Sequence, residues 1–274
     1  MAKIKKLIKA FVPPIIFSAI RRLRTSKEEN IWSGNYASWS EAEAKCTGYD
    51  SVSILEKVKN STLTVKNGEA VYERDSMLFD EIQYSWGLLA GLQKVALEND
   101  GKLCVLDFGG SLGSSYYQNK EFLSPLNELQ WCIVEQAHFI DCGKKHFEDD
   151  HLKYYYTIEE CMTNNKPNVL LLSSVLQYLE KPYEWLELFL ELNIPYIIID
   201  RTAFVDNQQD ILTIQNVPEE IYKASYPAWF FGGKLKRSLI EKGYSLTEFD
   251  NGFTAPTIIN RVKKAFWQGI IIKK

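Results

Sequence analysis

The chain has 274 residues, of which 46% are hydrophobic and 24% charged, a balance that fits a soluble α/β domain with an added segment and excludes a disordered chain. A net charge of −3 excludes recognition of polyanions by bulk charge, so no nucleic-acid partner is expected. The five cysteines, Cys46, Cys104, Cys132, Cys142 and Cys161, include no CxxC pair, which excludes a disulfide framework and suits reduced thiols in a cytoplasmic protein.

The first 30 residues stand apart. Lys3, Lys5, Lys6, Lys9, Arg21, Arg22 and Arg24 surround an apolar stretch at 10–20. That stretch is too short to span a bilayer, and Pro13 and Pro14 break a continuous helix. Two readings stay open: a peripheral anchor on an anionic membrane surface, at its inner face, or a basic terminus docked on the protein.

Residues 31–100 read as a helical cap. Ser38 with Glu41 forms a capping box for a short helix reaching Cys46. A second helix is predicted over 53–66, stopped by Asn67-Gly68, and a third over 76–97, on the spacing of Leu78, Ile82, Trp86, Leu89 and Val95.

From residue 101 the pattern changes to a catalytic α/β domain running to 274. Continuous apolar runs at 103–106, 131–134, 168–172 and 195–199, with a weaker one at 152–157, predict strands covered on both faces. Helical segments such as 183–192 separate them, so the sheet is expected to be parallel and doubly wound. Near the end, 235–242 reads as a helix. The segments 244–249 and 266–273 read as two strands with too little helix between them for a parallel crossover, hence antiparallel.

The first of these strands delivers Asp107 and then the turn Phe108-Gly109-Gly110-Ser111-Leu112-Gly113-Ser114-Ser115. Small residues let a ligand approach the backbone, and a following helix start points N–H groups at it. No Gly-Lys-Ser/Thr follows, which excludes a Walker loop, and the G-x-G-x-x-G dinucleotide spacing is broken by Ser111 and Ser114. An acid at the turn's entrance suits a ligand carrying an amino group. Glu135 ends the next strand, 22 residues after Gly113, where a carboxylate can accept both hydroxyls of a ribose.

These residues resemble class I S-adenosylmethionine-dependent methyltransferases. The resemblance is closest to a group of bacterial methyltransferases associated with surface-polysaccharide synthesis. It is carried by Gly34-Asn35-Tyr36, Thr47-Gly48-Tyr49-Asp50, Tyr72-Glu73-Arg74-Asp75, residues 107–115, Glu135-Gln136, Phe147-Glu148-Asp149, residues 172–182, Asp200-Arg201-Thr202 and residues 226–231. It implies a Rossmann-like seven-stranded sheet whose last strand is antiparallel, with S-adenosylmethionine as cofactor. It places Asp107, Gly109, Gly110, Ser111 and Gly113 around the methionine part, Glu135 at the ribose, Gln136 against the adenine or ribose, Thr157 and Ile158 near the adenine, and Ser173 and Ser174 at the methionine end. Ser111 departs from the family's middle glycine.

Asp200 is the first candidate base for a hydroxyl acceptor, and Arg201 either binds an acidic acceptor or joins a structural ion pair. Glu73-Arg74-Asp75 is either part of an N-terminal lid facing the cleft or a helix start, and Glu73 is a further catalytic candidate. His138 is a third, weaker base candidate. His146 and His151 match no zinc spacing, and no metal is expected. The aromatic run at 226–231 either stacks on sugar faces or packs a core. The resemblance implies O-methylation of a sugar or glycan precursor. A nicotinamide-dependent sugar enzyme and a non-catalytic cofactor-binding protein are the alternatives.

Overall fold

The computed structural model describes residues 31–47, 51–74, 76–217, 224–250, 257–260 and 263–274. The basic segment 1–30 with its two readings, residues 48–50 of one quoted stretch, and Asp75 lie outside the described residues. Among the described residues, no helix is long and apolar enough to cross a membrane.

The chain opens with a two-residue strand, β1 (Trp32–Ser33), and a short helix, α1 (Trp39–Glu43). Ser38 caps α1 by accepting from the Glu41 amide at 3.2 Å, while the Glu41 carboxylate accepts from the Ala37 amide at 3.1 Å. Helix α2 (Ser51–Lys66) follows and ends where Gly68 takes φ +76°, the left-handed exit that glycine adopts without cost. A hairpin of β2 (Tyr72–Arg74) and β3 (Met77–Phe79) then precedes α3 (Trp86–Leu97).

The alternating part comprises β4 (Lys102–Phe108), α4 (Ser114–Leu123), β5 (Glu128–Val134), α5 (Ala137–His146), β6 (Leu152–Tyr155), α6 (Ile158–Asn164), β7 (Val169–Ser173), α7 (Pro182–Glu191) and β8 (Tyr196–Val205). Next come the paired strands β9 (Ile211–Val217) and β10 (Ala224–Phe230), helix α8 (Gly233–Glu241), and then β11 (Ser245–Asp250), β12 (Thr257–Ile259) and β13 (Lys263–Lys273).

The main sheet has the order β6-β5-β4-β7-β8-β13-β11, with β12 paired to the first part of β13. Strands β6 through β8 are mutually parallel; β13 is antiparallel to β8 and to β11. This is the doubly wound, seven-stranded arrangement with an antiparallel last strand. Its two faces are read off single strands. Val105, Ile133, Leu171 and Ile198 pack on one side with α2, α3, α4 and α5. Leu106, Cys132, Leu172 and Ile199 pack on the other with α6, α7 and α8. Alternate residues of the same strand thus serve opposite layers, and each fully buried aliphatic side chain stabilises the fold by about 1.5–3 kcal/mol. Because β5 lies on one side of β4 and β7 on the other, a crevice opens at the carboxyl ends of these strands.

Three features depart from the sequence reading. The stretch predicted as one helix over 76–97 is split. Pairing of Tyr72 with Phe79 and Arg74 with Met77 claims its first residues for a hairpin, and the helix starts only at Trp86. Helical spacing at Leu78 and Ile82 was overridden by a tertiary pairing that local periodicity does not report. The segment 31–100 is accordingly mixed, not purely helical, and α3 lies on the main sheet, with Gly91 against Ile198 and Ile271.

The strand expected to end at Ile199 continues to Val205. It pairs with β7 only as far as Asp200 and beyond that with β13, whose register shifts between Gln268 and Ile270, and through a parallel bridge between Phe204 and Phe231. Asp200 therefore sits inside a strand, not at its end. Finally, β1, β9 and β10 form a separate three-stranded antiparallel sheet in the order β1-β9-β10. The aromatic run at 226–231 falls largely within β10.

Candidate functional site

A cleft of about 1120 Å³ opens at the carboxyl ends of β4, β5 and β7 and extends to the small sheet. Its floor is the turn after β4. Asp107 is fully buried there. Its Oδ2 accepts from Trp131 Nε1 at 2.9 Å, while its Oδ1 is buried without a partner on a residue that lines the cleft. Burial pushes its carboxyl up to about 7, against the smaller opposing pull of the Trp131 hydrogen bond and the Arg201 charge.

The glycines around it are required by space. A Cβ at Gly110 would lie 2.6 Å from the Asp107 Cγ, and one at Gly109, which has φ +73°, would lie 2.5 Å from Val175 Cγ2. The Gly109 amide donates to the Val134 carbonyl at 2.9 Å, tying the turn to the end of β5. Gly113, with φ +102°, starts α4. Tyr154 braces the same turn by donating its hydroxyl to the Leu112 carbonyl at 2.9 Å.

Glu135 follows β5 and lines the cleft beside Gln136. Its carboxylate accepts from the Gln136 amide at 2.8 Å. Burial raises its pKa, and the amides of Gln136 and Ser111 oppose that rise. Ser173 and Ser174, at the end of β7, also line the cleft. Behind them lies Asp200, buried and not part of the lining. Ser85 Oγ donates to its Oδ1 at 3.0 Å and Ser173 Oγ to its Oδ2 at 3.3 Å. Arg201 does line the cleft; its Nε donates to Ser173 Oγ at 3.2 Å and lies 3.9 Å from Asp200 Oδ2. Burial raises the Asp200 pKa, and the Arg201 charge is the largest opposing effect.

Four non-glycine residues of the lining hold positive φ: Ser76 at 66°, Ser111 at 53°, Ser174 at 58° and Arg201 at 48°. Each costs about 1 kcal/mol or more, and such strain persists where surrounding structure over-determines it. Gln177 supplies part of that constraint, since its amide donates to Ser174 Oγ at 3.1 Å and to the Arg201 carbonyl at 3.3 Å.

Of the sequence-predicted residues, Asp107, Gly109, Gly110, Ser111, Glu135, Gln136, Ser173, Ser174, Arg201 and Glu73 come together on this one cleft. Gly113, Thr157, Asp200 and His138 are outside its lining. Thr157 instead caps α6, accepting from the Glu160 amide at 3.0 Å, and its neighbour Tyr156 faces the cleft. No group of three or more His, Cys, Asp or Glu among the described residues is arranged to hold a metal.

The far half of the cleft was not legible in the sequence. Trp32, Trp39, Tyr178, Gln215, Tyr226 and Trp267 line it. Tyr178 donates to Gln215 Oε1 at 2.8 Å, and its ring meets Tyr226 edge-on at 5.3 Å. Phe230 and Phe231 of the aromatic run are fully buried, so that run divides between cleft and core. Only the aromatic richness of residues 226–231 hinted at this wall.

No family model and no curated protein sequence matches the chain. Solved structures with a similar fold include "DhpI-SAM-HEP complex", at 8% identity and a TM-score of 0.43, covering 82% of this chain and 100% of that one. Human N-acetylserotonin methyltransferase in complex with SAM is 12% identical, with a TM-score of 0.45 over 69% of this chain and 51% of that one. The glycopeptide N-methyltransferase MtfA complexed with sinefungin is 9% identical, with a TM-score of 0.43 over 67% and 85%.

Proposed function

We propose that this protein is an S-adenosylmethionine-dependent methyltransferase that O-methylates a sugar or glycan precursor of a bacterial surface polysaccharide. The observation that carries the cofactor assignment is the Asp107 Oδ1, buried and unpartnered, on a residue that lines the cleft at the start of a glycine turn. A buried carboxylate oxygen without a donor is costly, and a cationic ligand group removes the cost. A dinucleotide would bring a pyrophosphate to the same turn and meet repulsion. One βαβ unit away, Glu135 offers a carboxylate for two ribose hydroxyls. The residues present therefore fit an amino-acid tail joined to a nucleoside.

When bound, the cofactor supplies a methyl group activated on a sulfonium centre. The protein's own part is to align the acceptor, exclude water and take a proton. Ser173 and Arg201 line the same cleft. Asp200, the candidate base, is linked to the cleft through Ser173: an acceptor proton passes to Ser173 Oγ as the serine proton passes to Asp200 Oδ2. Arg201 is placed to hold an anionic group of the acceptor, bidentately where its Nε remains on Ser173. The aromatic wall of Trp39, Tyr178 and Tyr226 suits the apolar faces of a sugar ring, with the Gln215 amide beside it for hydroxyls.

Titration calorimetry with S-adenosylhomocysteine and with NAD tests the assignment. Binding of the first at micromolar affinity and not the second is expected, and the reverse result overturns the reading. Transfer of labelled methyl from S-adenosylmethionine to a saccharide-lipid fraction is expected, and label appearing only in protein or nucleic acid excludes the acceptor class.

The basic residues before position 25 support a peripheral position at the cytoplasmic face of the membrane, where a lipid-linked acceptor resides. The full chain is then expected to sediment with phosphatidylserine vesicles, and less so as salt rises. A chain lacking residues 1–24 that sediments equally well removes this part of the proposal.

A further inference from the structure

Glu73 and Arg74 reach the cleft from β2, outside every strand end that builds the rest of the cofactor half. Glu73 is 1% exposed and still lines the cleft. The hydroxyl of Ser114, the first residue of α4, donates to its Oε1. The carboxylate thus stands at the exit of the glycine turn whose entrance is Asp107. Two buried carboxylates thus flank one short turn, and each is a partner for a ligand cation. Arg74, the next residue, lines the same cleft with its guanidinium held 5.2 Å over the Phe79 ring. An acid and a guanidinium on consecutive residues beside an orphaned carboxylate oxygen match one ligand chemistry: an α-amino acid, with ammonium and carboxylate on one carbon.

We propose that Glu73 and Arg74 read the zwitterionic end of the cofactor, Glu73 joining Asp107 on the α-ammonium and Arg74 taking the α-carboxylate. This rests on the S-adenosylmethionine reading and moves Glu73 from base catalysis to cofactor binding. The hairpin β2–β3 becomes the element that measures the ligand's tail, while Glu135 holds its sugar.

The test compares two probes in the full chain: S-adenosylhomocysteine, which has the tail, and 5′-methylthioadenosine, which lacks it. Wild-type protein binds the first far more tightly. In Glu73→Gln and in Arg74→Met, affinity for S-adenosylhomocysteine falls about 10- to 100-fold, while affinity for methylthioadenosine stays at the wild-type value and so also reports an intact fold. If either variant binds both probes as wild type does, Glu73 or Arg74 is a structural residue of the β2–β3 hairpin and the proposal is overturned. Equal losses for both probes overturn it too, because they mean the cleft has collapsed. Failure of the wild type to bind either probe has a separate signature: it removes the cofactor reading and this assignment with it.

Discussion

Replacing Asp107 by Asn is expected to make the ligand-free protein more stable at pH 8 and to abolish tight binding of S-adenosylhomocysteine. The carboxyl is fully buried, and its pKa is raised from 3.8 to about 7, first by loss of hydration. In the unfolded chain the group ionises near its ordinary value. Between about pH 4 and pH 7 the folded state therefore binds more protons than the unfolded state, and stability falls as pH rises through that window. The full difference is about 4 kcal/mol, an order-of-magnitude figure from a shift of about three units. Asparagine keeps an oxygen for Trp131 Nε1 and carries no charge, so this part of the pH dependence disappears.

Binding responds in the opposite sense. An ammonium group pairs with the ionised form, so wild-type affinity for S-adenosylhomocysteine is expected to weaken by up to tenfold per unit below about pH 7, and the dependence flattens in Asp107→Asn. Thermal unfolding and calorimetry at pH 6 and pH 8 measure both effects. A variant that is destabilised at pH 8 and binds as before would refute the role given to the free oxygen.

Removal of the Glu135 carboxylate is the second large effect. In Glu135→Ala, affinities for S-adenosylhomocysteine and methylthioadenosine are both expected to drop by about 100-fold or more, since each hydrogen bond to a charged group is worth about 1.5–3 kcal/mol and a ribose offers two. The loss is shared by both probes because the sugar is common to them, in contrast to the tail-specific loss at Glu73. The fold should persist, because Glu135 lies after β5 and makes its hydrogen bonds with the amides of Gln136 and Ser111, both in turns that line the cleft. Unchanged affinity for both probes in this variant would place the nucleoside elsewhere.

The half of the cleft around Asp107 and Glu135 was readable as one place because it is built from local signals. A buried strand writes a continuous apolar run, and the residue after it is where a turn must place its chemistry. Asp107, Glu135 and Ser173 are each the end of such a run. Thr157 was one residue from the cleft, because the end of the weaker tyrosine-rich strand places Tyr156 there and uses Thr157 as a helix cap. Ser111 in place of glycine did not break the turn; it adopts φ 53° and lines the cleft. Asp200 was misplaced because an apolar run marks where burial by helices ends and not where hydrogen bonding ends. β8 continues past that point on β13 and a bridge to Phe231, and the serine side chains of β7 and of the segment before α3 close over the carboxylate.

The sequence by itself determined the doubly wound sheet, its antiparallel last strand and the turn-and-acid pair at its switch point, because alternation, apolar runs and glycine spacing are properties of short stretches of chain. Only the tertiary structure decided which carboxylate faces the cleft, that Glu73 meets the start of α4, and that Trp39, Tyr178 and Tyr226 share one wall. Those side chains come from segments far apart in the chain, joined by strand pairing and burial. Such pairings depend on what the rest of the fold leaves uncovered, and no local pattern records them.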